Sequence, residues 1–130
     1  MIDWESDPEL KKMRDEFVDS LQVRARDLME YIKNPVANKF EIRVIAHNLA
    51  GSAETYGLPM LGDAGAALDD VMTSGATEVT DPRFARHVSI LREMIEEASV
   101  IRKDPERFRE DPRLKELISC AEALDAEARS

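Results

Sequence analysis

The apolar residues between about 7 and 33, namely Leu10, Met13, Phe17, Leu21, Leu28 and Ile32, are separated by gaps of three, four and seven. That spacing keeps one face of a helix buried and predicts the first element. Ser6 or Asp7 is placed to cap it, Pro8 suits its first turn, and Pro35 in "NPVAN" biases Asn34 away from the helical region and ends it. A second helix is predicted from about Lys39 to Tyr56, with Ile42, Ile45, Leu49, Ala53 and Tyr56 facing inward and Gly57 where a left-handed residue closes the end. Pro59 opens a third helix, whose inward residues are Leu61, Ala64, Leu68 and Met72. The turn before it is very short, so the second and third helices should pack as antiparallel neighbours. After the loop "SGATEVTDP", Thr80 or Asp81 caps a fourth helix with Phe84, Val88, Leu91, Ile95 and Ile101 on its core face, flanked by Met94 and Ala98.

Residues 103–112, "KDPERFREDP", are charged and broken by two prolines, which reads as a loop or a single turn. A last amphipathic helix is expected to carry Leu114, Leu117, Ile118, Ala121 and Leu124. Strand-like alternation, internal repeats and low-complexity runs are missing. The fold class is all-α, an antiparallel four-helix bundle with an additional C-terminal helix, in one domain spanning residues 1–130.

Composition agrees with this picture: 43% of the 130 residues are hydrophobic, 35% charged and only 5% aromatic, as in a helical domain with a charge-rich surface. The net charge of −9 disfavours nucleic acid and anionic membrane as partners, since both would be repelled. Cys120 is the only cysteine, which rules out an intramolecular disulfide and reads as inert packing in a reducing compartment. The N-terminus lacks the basic and apolar regions of a signal peptide, and no apolar run approaches the roughly 18 residues of a membrane span. A cytoplasmic location is expected. Trp4 is expected to tuck against the bundle. The pairs "DD" at 69–70 and "EE" at 96–97 read as solvated helix faces, and His87, beside Arg83 and Arg86, reads as a surface residue.

His47 is the candidate for chemistry. Residues three, four and seven away on its helix are Phe40, Arg43, Val44, Ala50, Gly51 and Glu54, so it lies mostly off the predicted core stripe. A glycine inside a helix costs roughly 1 kcal/mol relative to alanine. Either Ala50 and Gly51 mark a spot where helices touch, or Gly51 keeps the histidine accessible.

The stretch "AHNLAGSAETYGLPMLGDAGAALDD" resembles the signature of histidine-containing phosphotransfer (HPt) domains. That pattern has His, then Leu two residues on, Gly-Ser at four and five, Gly at ten, an apolar residue at fourteen and a Leu–acid pair near twenty-one. His47, Leu49, Gly51, Ser52, Gly57, Leu61, Leu68 and Asp69 supply these places, within a motif core of about residues 39–73, and a C-terminal helical extension follows at about 105–130. Two positions depart from the pattern: Ala50 stands where a lysine is usual, and Asp69 where glutamate is common.

The resemblance implies a helical bundle and a phosphorelay intermediate. His47 would accept a phosphoryl group from the aspartyl phosphate of a receiver domain, or from a hybrid sensor histidine kinase, and pass it to another response-regulator receiver. The chain would then be a monomeric phosphocarrier and not an autonomous kinase. It would hold no cofactor or metal of its own, the Mg²⁺ belonging to the receiver. Gly51 would give access, and Arg43 and Lys39 are candidates for the phosphate charge that Ala50 cannot supply. Phe40, Val44, Asn48, Ala50 and Leu58 are candidate partner-binding residues, while Tyr56 reads as core more than as docking surface. Two alternatives stay open at this stage: an HPt-like module that binds a receiver or kinase without carrying phosphate, and an unrelated helical scaffold.

Overall fold

The computed structural model describes residues 6–75 and 78–100, together with scattered positions between 112 and 126. Four helices follow one another: α1 (Pro8–Tyr31), α2 (Lys39–Ser52), α3 (Pro59–Ser74) and α4 (Pro82–Val100). They form an all-α four-helix bundle, with α2 packed along α3 and α1 along α4. Among the described residues, no helix is long and apolar enough to cross a membrane. Trp4, residues 103–111 of the loop predicted at 103–112, Ile101 and the predicted core residues Leu114, Leu117, Ile118, Ala121 and Leu124 lie outside the described residues.

Short-range chemistry sets the helix ends. Asp7 caps α1, its Oδ1 accepting the backbone N–H groups of Glu9 at 3.0 Å and Leu10 at 3.3 Å. Asp81 does the same for α4, accepting the Arg83 N–H at 2.8 Å and the Arg83 guanidinium at 2.7 Å. The α2 helix stops at Ser52, four residues before the predicted end. The Leu58 N–H bonds back to the Ala53 carbonyl at 2.8 Å and the Gly57 N–H to that of Glu54 at 3.0 Å. This pair of bonds closes a helix in the Schellman manner around Gly57, whose φ is +86°, and tightens residues 53–56 into a turn.

The core is continuous across the bundle. Leu21 and Leu28 of α1, Ile42 and Leu49 of α2, Leu61 and Leu68 of α3, and Phe84, Leu91 and Ile95 of α4 are fully buried. In α1 the buried seam runs through Arg14, Val18, Leu21, Ala25 and Leu28, the alternating four–three spacing of a helix packed on its neighbours. Met13 falls beside that seam and is 49% exposed, contrary to expectation, while Arg14 takes the inward place and buries its aliphatic stem. Tyr56 is half-buried and packs on the core, its ring stacked on Phe17 with centroids 4.7 Å apart.

His87 corrects the sequence reading more sharply. It is fully buried, and neither ring nitrogen has a hydrogen-bond partner. The residue lies three positions after Phe84 and four before Leu91, so its place on the core face overrides its basic neighbours. Burial pushes its pKa down to about 4, and the ring is neutral in the fold.

A close approach of α3 to α2 occurs at Gly65. A Cβ there would lie 2.8 Å from the Ala46 carbonyl oxygen, 2.9 Å from Leu49 Cβ and 3.0 Å from the Ala50 nitrogen. A Cβ at Gly51 would meet nothing within 4 Å. The close-packing spot is therefore formed by the other helix's glycine, and Gly51 faces open space.

These contacts make two predictions. Gly65→Ala should destabilise the fold by about 1–3 kcal/mol, because backbone atoms of α2 must move and the better helix propensity of alanine does not offset that. Gly51→Ala should stabilise it by up to about 1 kcal/mol; chemical denaturation of the two variants checks both signs. For His87, the unfolded chain binds a proton between about pH 6.5 and the depressed value while the folded chain does not. Stability should therefore fall on acidification through that window, by a total on the order of 3 kcal/mol. Melting curves at pH 7 and pH 5 should show the loss in the wild type and little of it in His87→Leu.

Candidate functional site

The α2 helix buries only a narrow stripe, Ile42, Ala46 and Leu49, and turns the rest of its surface outward. His47 stands on that outer face with its side chain 69% exposed. With Phe40, Arg43, Val44 and Asn48 it lines a surface depression of about 210 Å³. Phe40 is 70% exposed, Val44 is exposed, and Val36 in the preceding turn is exposed as well, so an apolar strip runs up to the histidine.

The partner of the ring comes from α3. His47 Nδ1 lies 3.0 Å from Asp69 Oδ2. Partial burial pushes the Asp69 carboxyl up, but the hydrogen bonds and charges of His47 and Arg43 together outweigh it, and the net pKa is below the ordinary carboxylate value. An ionised carboxylate only accepts hydrogen bonds, so Nδ1 is the nitrogen that carries the proton. In the neutral form of the ring, Nε2 then keeps its lone pair. A histidine held by a carboxylate at one nitrogen and open at the other is an oriented nucleophile.

Asp69 has two further neighbours on its other oxygen. Arg43 Nε donates to Oδ1 at 3.4 Å, and Thr73 Oγ1 donates to the same oxygen at 3.4 Å. Arg43, one turn before His47 on α2, therefore meets the same carboxylate as the histidine.

Of the residues singled out from sequence, the structure brings together His47, Arg43, Phe40, Val44 and Asn48. Gly51 lies one turn beyond His47 with open space at its Cα. Ala50 is half-buried, and its backbone nitrogen is part of the close contact with Gly65. Lys39 is exposed but lies eight residues before His47, about 12 Å along the helix axis, and does not line the depression.

Leu58 does not belong to an accessible docking surface. It is only 2% exposed and caps the start of α3, because the Schellman closure at Gly57 turns it into the core. Asp69 belongs to the HPt pattern but receives no role from the sequence, where it reads as half of a solvated acidic pair; the structure places its carboxylate against the ring. Its place twenty-two residues after His47, at the end of the Leu–acid pair, was the available signal. Among the described residues, no group of three or more His, Cys, Asp or Glu side chains is arranged to hold a metal ion.

A family model for the Hpt domain matches residues 12–100, more than half of the chain. Neither a curated protein nor a solved structure matches it significantly. The matched span covers the whole of α2, α3 and α4 and all but the first turn of α1, and it includes His47 and Asp69.

The ring's orientation can be read directly. In the wild type, long-range ¹⁵N spectra of His47 should show the neutral ring protonated at Nδ1. In Asp69→Ala the Nε2–H tautomer, which is preferred by an unconstrained imidazole, should take over. An unchanged tautomer in the variant would remove Asp69 from the orienting role.

Proposed function

Because the chain belongs to the Hpt domain family, whose members are phosphocarriers of two-component signalling, we propose that it is a phosphorelay intermediate charged at His47. The phosphoryl group arrives from the aspartyl phosphate of a receiver domain, or from a hybrid sensor histidine kinase, and leaves to another response-regulator receiver. The observation that carries this reading is the ring of His47, tied to Asp69 at 3.0 Å through Nδ1 and exposed at its other side beside an open glycine.

The transfer needs only positioning and charge compensation. The Nε2 lone pair forms the N–P bond as the P–O bond to the receiver's aspartate breaks, and the electron pair leaves with that carboxylate. Nδ1 keeps its proton throughout. The ring thereby becomes positively charged, and Asp69 faces that charge at 3.0 Å. The reverse step runs through the same arrangement, so one site both receives and donates.

Mg²⁺ and the acidic pocket that binds it belong to the receiver in this reading. The chain itself acts as a cytoplasmic monomer without cofactor, and it is a carrier and not an autonomous kinase. Phe40 and Val44 form the apolar part of the docking surface, with Asn48 at its polar rim and the exposed edge of Ala50 beside it. Gly51 admits the receiver's loops to the ring.

Labelled phosphate from a phosphorylated receiver tests the reading. Wild-type protein should take up acid-labile, base-stable label, and His47→Gln should take up none while keeping its circular dichroism spectrum. Gly51→Leu, whose new side chain enters open space, should fold and yet transfer about tenfold more slowly or worse. A receiver that binds the wild type without labelling it would point to a binding module that carries no phosphate.

A further inference from the structure

Ala50 leaves His47 without the cation that the family pattern places one turn beyond the histidine. The need for one is acute here. The chain carries a net charge of −9, Asp69 already sits against the ring, and a phosphoryl group on Nε2 places about two negative charges on its oxygens, only one of which the new positive charge of the ring offsets. We propose that Arg43 is the catalytic residue that meets the phosphoryl group, so that the compensating charge comes from the N-terminal side of His47. The inference rests on the phosphorelay reading and names a residue of that same site.

Three features of Arg43 support the assignment. First, it is the cationic side chain among the five residues that line the depression at His47. Residues at i and i+4 stand about 6 Å apart at Cβ on one helix face, within the span of a guanidinium side chain and a phosphorylated ring. Second, Arg43 is held loosely. Its contact with Asp69 is made through Nε at 3.4 Å, long for a charge-assisted bond, and the side chain is 48% exposed. The two terminal nitrogens are not part of that contact.

Third, Asp69 has partners besides Arg43: His47 lies on Oδ2 at 3.0 Å and Thr73 on Oδ1 at 3.4 Å, so the carboxylate keeps two contacts if the guanidinium turns to the phosphoryl group. A phosphoryl dianion offers two oxygens to the guanidinium fork, a stronger partner than the single long contact to a carboxylate. As the N–P bond forms and the acyl phosphate's P–O bond breaks, Arg43 moves from Asp69 to the phosphoryl oxygens. The donor's carboxylate departs with the electron pair, and no proton is transferred. Asp69 is thus where the arginine rests between transfers.

The alternative is that Arg43 merely steadies Asp69. Substitutions at two positions separate the roles. Arg43→Gln keeps an amide that can donate to Asp69 but removes the charge. Arg43→Lys keeps the charge. Arg43→Gln combined with Ala50→Lys returns a cation on the opposite side of His47, on the turn packed against Gly65 and away from the Arg43 position.

The readout is the rate of transfer of labelled phosphate from a phosphorylated receiver, with folding checked by circular dichroism. Arg43→Gln should be slower by about tenfold or more, the loss expected for a charge-assisted contact. Arg43→Lys should keep most of the rate, and the double variant should regain most of it. Arg43→Gln transferring at the wild-type rate would overturn the assignment. So would a loss that a lysine restores at neither position, since that assigns Arg43 to steadying Asp69. A wild-type protein that takes no label from any receiver overturns the phosphorelay reading and this inference with it.

Discussion

The close contact of α3 with α2 at Gly65 is the constraint on which the site depends. The two helices run antiparallel, so a step of one turn up α3 matches a step of one turn back along α2. Gly65 lies against Ala46, Leu49 and Ala50, and one turn later Asp69 lies against His47 and Arg43. Aspartate is one methylene shorter than the glutamate common at that place in the family pattern. It reaches the ring at 3.0 Å one turn from the point where the backbones come close. A Cβ at residue 65 would press on the Ala46 carbonyl at 2.8 Å and force the helices apart at the register where the carboxylate must reach. A packing constraint in the core thus places the carboxylate against a ring on the surface.

The division of labour within α2 follows from the same arrangement. The helix has 14 residues, too short to be stable alone in water, and it is held by its narrow buried stripe against α3. Because Ile42, Ala46 and Leu49 secure it from one side, the opposite face is free to carry residues that contribute nothing to folding. Phe40 and Val44 leave apolar surface in water there, and Gly51 weakens the helix locally. Such features cost stability, and the bundle's continuous core offsets them.

How far the sequence reveals this depends on the range of the interactions involved. The four apolar stripes and the helix starts at Asp7 and Asp81 were legible because those residues act on their own neighbours in the chain; Gly57 marked the turn correctly, but its closure ends α2 at Ser52, before the predicted Tyr56. His47 and its exposed face were legible from helical periodicity together with the spacing of the HPt pattern. What was hidden is what depends on the angle at which one helix meets another. The seam of α1 runs through residue 14 and not 13, a rotation too small for the apolar pattern to register, and a long arginine stem can fill the place. His87 was misread because its basic neighbours Arg83 and Arg86 point elsewhere on the helix, while Phe84 and Leu91 define its face. Leu58 looked like an exposed turn residue until the Schellman closure turned it inward. Asp69 looked like half of a solvated pair because its partners are twenty-two and twenty-six residues away on α2.

The choice of a carboxylate at residue 69 can be argued from what a relay must do. An amide there could turn either its oxygen or its nitrogen toward Nδ1, and the second orientation would favour the wrong tautomer. A carboxylate presents only acceptors, so both of its rotamers leave Nε2 free. In the proposed relay it also lowers the energy of the positively charged ring that forms when the phosphoryl group arrives. The same negative charge repels the phosphoryl oxygens. A cation on a loose tether resolves that conflict, because it can neutralise the carboxylate when the site is empty and the phosphoryl group when it is full. Arg43, half-exposed and 3.4 Å from Asp69, has the position and the freedom to serve both. On the proposed assignment of Arg43, the lysine missing from residue 50 does not require a decayed site, since the charge it would bring comes from the preceding turn of the same helix.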